Sequence, residues 1–224
     1  MIVTFDLFSA LLDTRTGASR AFSAIADERG WDLSGETLYD TWDGHNKALQ
    51  RESRQPTSFR DVSRTALVAA YADLRLDAAL APTDLARLHE TIPDWPLWPD
   101  VAAGVAAVAA LDRVAGVALL SNVDDDLARL TRAHPLVDPD LVLSSQRLGA
   151  FKPSSAIYTR AAAAVAPERL VHVAASARDV RGALEAGITT VRLVRPGHVV
   201  DPSGPRPPHE VRDAAELADV VDGL

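Results

Sequence analysis

Short apolar runs, three of them closing on a polar side chain, punctuate the start of the chain and its second half. Residues 2–6 read Ile-Val-Thr-Phe-Asp, and similar runs follow at 115–121, 141–145, 170–174 and 190–194. Each is too short for a helix and almost continuously apolar, the pattern of a strand buried on both faces. Residues 100–112, 124–132, 154–165 and 179–186 carry helical patterning between the later runs. Strand and helix therefore alternate from residue 100 onward, which predicts a mostly parallel sheet covered by helices on both faces.

Residues 15–95 break that rhythm. They hold amphipathic helical segments near 18–29, 35–51, 58–75 and 83–91, and no convincing strand. The pattern predicts an α/β protein: a Rossmann-like parallel sheet core from residues 1–14 and 98–224, with an inserted helical cap domain at 15–97. Ligands bind beyond the carboxyl ends of parallel strands, so an insertion after the first strand would roof that site. Residues 93–100, Pro-Asp-Trp-Pro-Leu-Trp-Pro-Asp, are predicted to form the return hinge, because the prolines block helix and the tryptophans can pack at an interface. Trp31 and Trp42 are expected to pack the cap. The proline-rich residues 201–209 are predicted to form an extended surface loop before a last helix at about 211–223.

Composition narrows the partners. A net charge of −8 without a basic stripe argues against a nucleic-acid groove or an anionic membrane surface. The absence of cysteine rules out disulfides, thiolate metal sites and a cysteine nucleophile. No apolar run approaches the ~20 residues needed to cross a bilayer, and the N-terminus lacks a basic n-region, so a cytoplasmic protein is expected. The six histidines are scattered without zinc-site spacing. Asp124-Asp125-Asp126 read as the acidic first turn of a helix. Of 23 basic residues only Lys47 and Lys152 are lysine, which draws attention to where those two fall.

The polar strand ends carry the candidate chemistry. Asp6 ends the first strand, Ser121-Asn122 the second, Lys152 follows the third, and Ser176 to Asp179 follow the fourth. In a parallel sheet these positions converge on one edge. Lys152 would keep Asp6 ionised and oriented. Ser121 and Asn122 could hold a substrate oxygen, and an ionised carboxylate beneath a lid is a reasonable nucleophile for covalent catalysis.

Four segments in order resemble the motifs of the haloacid dehalogenase superfamily: Thr4-Phe5-Asp6-Leu7-Phe8-Ser9-Ala10-Leu11-Leu12-Asp13, Leu120-Ser121-Asn122, Lys152-Pro153 with Tyr158 six residues after the lysine, and Val173-Ala174-Ala175-Ser176-Ala177-Arg178-Asp179. The resemblance implies that Asp6 is the nucleophile, that Lys152 orients it, and that Asp179 serves the site. It places Phe8, Ser9, Ser121, Asn122, Tyr158 and Ser176 on the substrate side. Phosphatases of the superfamily carry a second aspartate where this chain has Phe8, and a Mg²⁺-binding acid where it has Ala175. The pattern is closest to the metal-free L-2-haloacid dehalogenase branch, so no cofactor is expected, with room only for a weak Mg²⁺ at Asp6 and Asp179.

Departures from that branch are visible too. Ser9-Ala10 replace Gly-Thr, Ala174 replaces a serine, and Ser176 replaces an asparagine. Asp43 falls where the branch has a halide-binding arginine, leaving His45, Lys47 or Arg51 as substitutes. The expected activity is hydrolytic cleavage of a carbon–halogen or related bond in a small carboxylate. A weakly Mg²⁺-dependent phosphatase and a catalytically degraded binding protein stay open as alternatives. A homodimer is expected by analogy alone.

Overall fold

A computed structural model describes residues 1–53 and 57–224. Six strands form one parallel sheet: β1 (Ile2–Phe5), β2 (Gly116–Ser121), β3 (Val142–Ser144), β4 (Leu170–Ala174), β5 (Thr189–Leu193) and β6 (His209–Val211). Their order is β3-β2-β1-β4-β5-β6. The fold is the expected Rossmann-like α/β architecture. β1 is central, and Val3 sits in register between Val117 and Val171. The strand order reverses between β1 and β4, which places a crevice beyond the end of β1.

Alternation along the strands separates two cores. Val3 and Phe5 face one side, packed with Val101, Val105 and Val108 of α5 (Val101–Ala109) and with Leu217 and Val221 of a C-terminal helix, Leu217–Asp222. Ile2, Ala118 and Leu120 face the other, against Ile157, Tyr158 and Ala161 of the helix Ser155–Ala164.

Between β1 and β2 lie α1 (Thr14–Arg29), α2 (Gly35–Glu52), α3 (Phe59–Asp73) and α4 (Ala81–Glu90). Asp13, Ser34 and Ser58 cap the first three, each side chain accepting from a backbone N–H in the first turn. The outgoing and returning chains run side by side. Leu12 and Leu97 form an antiparallel bridge, Asp13 N donates to Pro96 O at 2.9 Å, and Trp98 N donates to Leu11 O at 3.0 Å. Trp98 Nε1 adds a bond to Ser9 O at 3.1 Å.

One sequence expectation fails. The segment before the last helix contains the edge strand β6, and that helix begins at Leu217 after a 3₁₀ turn at Ala214–Glu216. Three residues, one of them exposed, carry too little apolar pattern to announce a strand. The acidic run opens a helix as expected, with Asp125 and Asp126 in its first turn, and its carboxylates also bond beyond that helix. α6 spans Asp125–Leu130, while Asp124 accepts from Phe59 N and Arg60 N, Asp125 pairs with Arg147, and Asp126 with Arg60. No helix among the described residues is long and apolar enough to cross a membrane.

Candidate active site

β1 ends at Phe5, and a single wide turn with an i→i+5 bond, Leu12 N to Leu7 O, follows at Leu7–Leu11. Asp6 stands at its start. One carboxylate oxygen, Oδ2, accepts from Ser9 N at 3.2 Å and from Ser9 Oγ. The other, Oδ1, accepts from Lys152 Nζ at 2.7 Å. The residue is 7% exposed, at the floor of a cavity of about 650 Å³ roofed by α1 and α2.

Lys152 spends all three ammonium protons. They go to Asp6 Oδ1, to Leu120 O at 2.8 Å, and to Asp179 Oδ2 at 2.5 Å. Burial alone would push this ammonium down, but the carboxylates of Asp179 and Asp6 outweigh it and raise its pKa above the ordinary lysine value.

Asp179 lies in the first turn of α9 (Ala177–Glu185), which Ser176 precedes as N-cap without a side-chain capping bond. The helix reaches Lys152 because Gly182 has no side chain: a Cβ there would stand 2.8 Å from Pro153 Cβ. Tyr158 Oη donates to Asp179 Oδ1 at 2.7 Å, and His172 Nε2 faces the same oxygen at 3.2 Å. An ionised carboxylate only accepts, so this contact is a hydrogen bond with Nε2–H as donor, and Nδ1 faces Thr4 Oγ1 at 2.9 Å. Thr4 and His172 are in register on adjacent strands and fully buried. Burial would raise the Asp179 pKa, but Lys152 and His172 hold it well below the usual carboxylate range. Tyr158, buried beside that anion, is pushed well above its ordinary value, first by burial and then by Asp179.

A family model of haloacid dehalogenase-like hydrolases matches residues 1–187. The chain belongs to that family. It is 27% identical over 222 residues to (S)-2-haloacid dehalogenase 4A of Burkholderia cepacia, covering 95% of this chain and 91% of the relative. It is 25% identical to (S)-2-haloacid dehalogenase H-109 of Pseudomonas putida, covering 97% and 96%. The L-2-haloacid dehalogenase structure from Xanthobacter autotrophicus superposes with a TM-score of 0.79 at 20% identity, covering 100% and 98% of the two chains.

In this haloacid dehalogenase-like hydrolase, Asp6, Phe8, Ser9, Ser121, Asn122, Lys152, Ser176 and Asp179 all line the one cavity. Their surroundings differ from expectation in three places. Tyr158 does not line it. The ring is fully buried behind Asp179, which it braces, so the substrate-side expectation is corrected. Asn122 lines the wall but is committed elsewhere: Oδ1 accepts from Lys152 N at 2.7 Å, and Nδ2 donates to Lys152 O at 3.0 Å and Gln50 Oε1 at 2.8 Å. Ser9 turns its hydroxyl to Asp6 itself. Ser121 Oγ, by contrast, is buried with no partner among the described residues.

Of the three halide-site substitutes, only Lys47 reaches the cavity, and it is paired with Asp43 at 2.5 Å. His45 instead binds Asp73 at 2.7 Å, and Arg51 is exposed away from the wall. Trp42, Trp95 and Trp98 line the cavity as well as packing, and Phe8 stacks on Phe59 with centroids 5.8 Å apart.

Sequence reasoning missed Thr4, His172, Gln50 and Arg178. A histidine inside an otherwise apolar strand and amides spaced i, i+4 at Asn46 and Gln50 were the available signals. Gln50 Nε2 donates to Asn46 Oδ1 at 3.2 Å.

Proposed function

We propose that the protein is a hydrolytic dehalogenase of small 2-halocarboxylates, with Asp6 as nucleophile. The observation that carries this reading is the Lys152 ammonium, which fixes Asp6 Oδ1 from behind while the carboxylate faces the cavity. Asp6 attacks the halogen-bearing carbon, and the carbon–halogen electron pair leaves with the halide. The product is an ester between Asp6 and the substrate carbon. Water then adds to the Asp6 carbonyl carbon, the ester C–O bond breaks, and a 2-hydroxy acid and a proton are released as the carboxylate is regenerated. Halide needs no proton to leave, so the ring of Phe8 is compatible with this step where an acid is absent. Two curated relatives are named (S)-2-haloacid dehalogenases, which supports the same substrate class.

A resident Mg²⁺ does not fit these residues. No cluster of three His, Asp or Glu side chains able to hold a metal exists among the described residues, and Lys152 already pairs with both Asp6 and Asp179. The Ala175 side chain offers no oxygen. We therefore read the reaction as metal-independent, with residues 15–97 acting as a cap over the cavity.

The test is turnover of (S)-2-chloropropionate in EDTA, with halide release followed for the native protein and for Asp6→Asn. Halide release that survives chelation and disappears in D6N is expected. Hydrolysis of phosphate esters that requires Mg²⁺, or activity retained by D6N, would overturn the reading.

A further inference from the structure

Four cationic side chains line the cavity: Arg15, Lys47, Lys152 and Arg178. Three are neutralised by carboxylates, Arg15 by Asp40 at 2.7 Å, Lys47 by Asp43, and Lys152 by Asp6 and Asp179. Arg178 has no carboxylate within ion-pair distance among the described residues. Its Nη2 donates to Gln50 Oε1 at 2.8 Å and its Nη1 to Lys47 O at 3.2 Å, both neutral acceptors on α2. Those bonds hold the guanidinium in place without cancelling its charge. Two of its five N–H donors are used, and the planar fork suits a carboxylate's two oxygens.

We propose that Arg178 is the residue that binds the substrate's carboxylate. The inference rests on the carboxylate-substrate reading above. The position has the right company. Arg178 is in the first turn of α9, whose partial positive charge favours an anion. Ser121 Oγ, buried and unpartnered on the same cavity wall, supplies a neutral donor. Asn122, spent on Lys152 and Gln50, does not compete for the role. A monatomic halide gains nothing from a planar fork, so the carboxylate is the better match of the two anions a haloacid brings.

The experiment uses binding rather than turnover. Trp42, Trp95 and Trp98 line the cavity and report occupancy by fluorescence. Propionate, 3-phenylpropionate and chloride are titrated at constant ionic strength into the native protein, Arg178→Met, Arg178→Lys and Arg178→Gln, with thermal unfolding as the check on folding. Carboxylate Kd is expected to rise by about tenfold or more in R178M and R178Q, with R178K intermediate and chloride affinity unchanged. Unaltered carboxylate binding in either folded neutral variant would overturn the proposal. So would an effect confined to chloride, or a native protein that binds neither carboxylate. Carboxylate binding that depends on Arg178 in a protein that releases no halide leaves this proposal standing and removes the dehalogenase reading instead.

Discussion

Asp124, at the start of a core helix, accepts the backbone N–H of Phe59, the first residue of α3, at 2.8 Å. The next amide, Arg60 N, reaches the same carboxylate at 3.1 Å. A core side chain thus caps a helix of the insertion, and Phe59 itself stacks on Phe8 in the cavity wall. Asp124→Ala is expected to cost about 0.5–2 kcal/mol, the range for losing a helix cap. Faster amide hydrogen exchange at Phe59 and Arg60 than elsewhere in α3 would show that the loss is local.

Among the described residues, Lys152 is the cation that pairs with both buried carboxylates, Asp6 and Asp179. Removing it in Lys152→Met leaves Asp6 and Asp179 without their shared cation, at an expected cost of about 3–5 kcal/mol. Arginine cannot repeat the three-way bond, because its fork is planar and broader. The check is a denaturant midpoint for K152M, K152R and the double variant K152M/D179N. The double variant should recover part of the lost stability, since it removes one of the stranded charges.

Tyr158→Phe removes a donor to an ionised, buried oxygen of Asp179, and a loss of about 1.5–3 kcal/mol is expected. Because the ring is outside the cavity, KM for substrate should move much less than stability does. A large KM change at native stability would return Tyr158 to the substrate side.

His89 gives the fold an acid-sensitive element. Burial, and after it the charge of Arg60, lowers its pKa to about 4, and its Nε2 has no partner among the described residues. Between the ordinary histidine value and about 4 the unfolded chain binds the proton and the native one does not, so stability falls as pH falls. The expected loss from this group is on the order of 2 kcal/mol by pH 5. His89→Phe, a ring of similar shape stacked on Phe59, should flatten that slope. Unfolding midpoints at pH 7 and pH 5 for both proteins check it. Asp179 acts later in the titration: its depressed pKa preserves its contribution above the ordinary aspartate value, and that contribution is lost only as pH falls through its lower folded pKa.

The parallel strands were legible because burial on both faces demands unbroken apolar runs, and β4 falls at residues 170–174 as read. Convergence of Asp6, Ser121, Lys152 and Asp179 was legible for a related reason: residues that end neighbouring parallel strands have nowhere else to go. β6 lies at the sheet edge, where one neighbour and three residues suffice and little pattern is required. The Arg178–Gln50 contact joins positions 128 residues apart, and no local spacing records how α2 is rotated above the sheet. His172 was hidden differently. Its significance lies in Thr4 beside it, and only strand order makes them neighbours.

The paired crossing at Leu11–Asp13 and Pro96–Trp98 joins the two ends of the helical insertion at one seam. Since the chain leaves and re-enters at one seam, exchanging the span from Asp13 to Pro96 for that of a relative is expected to leave the order of the six strands unaltered. The floor of the cavity would travel with the sheet, while the helix that steadies Arg178 would travel with the graft. Gln50, which bonds both Asn122 and Arg178, is the residue a donor insertion would have to match.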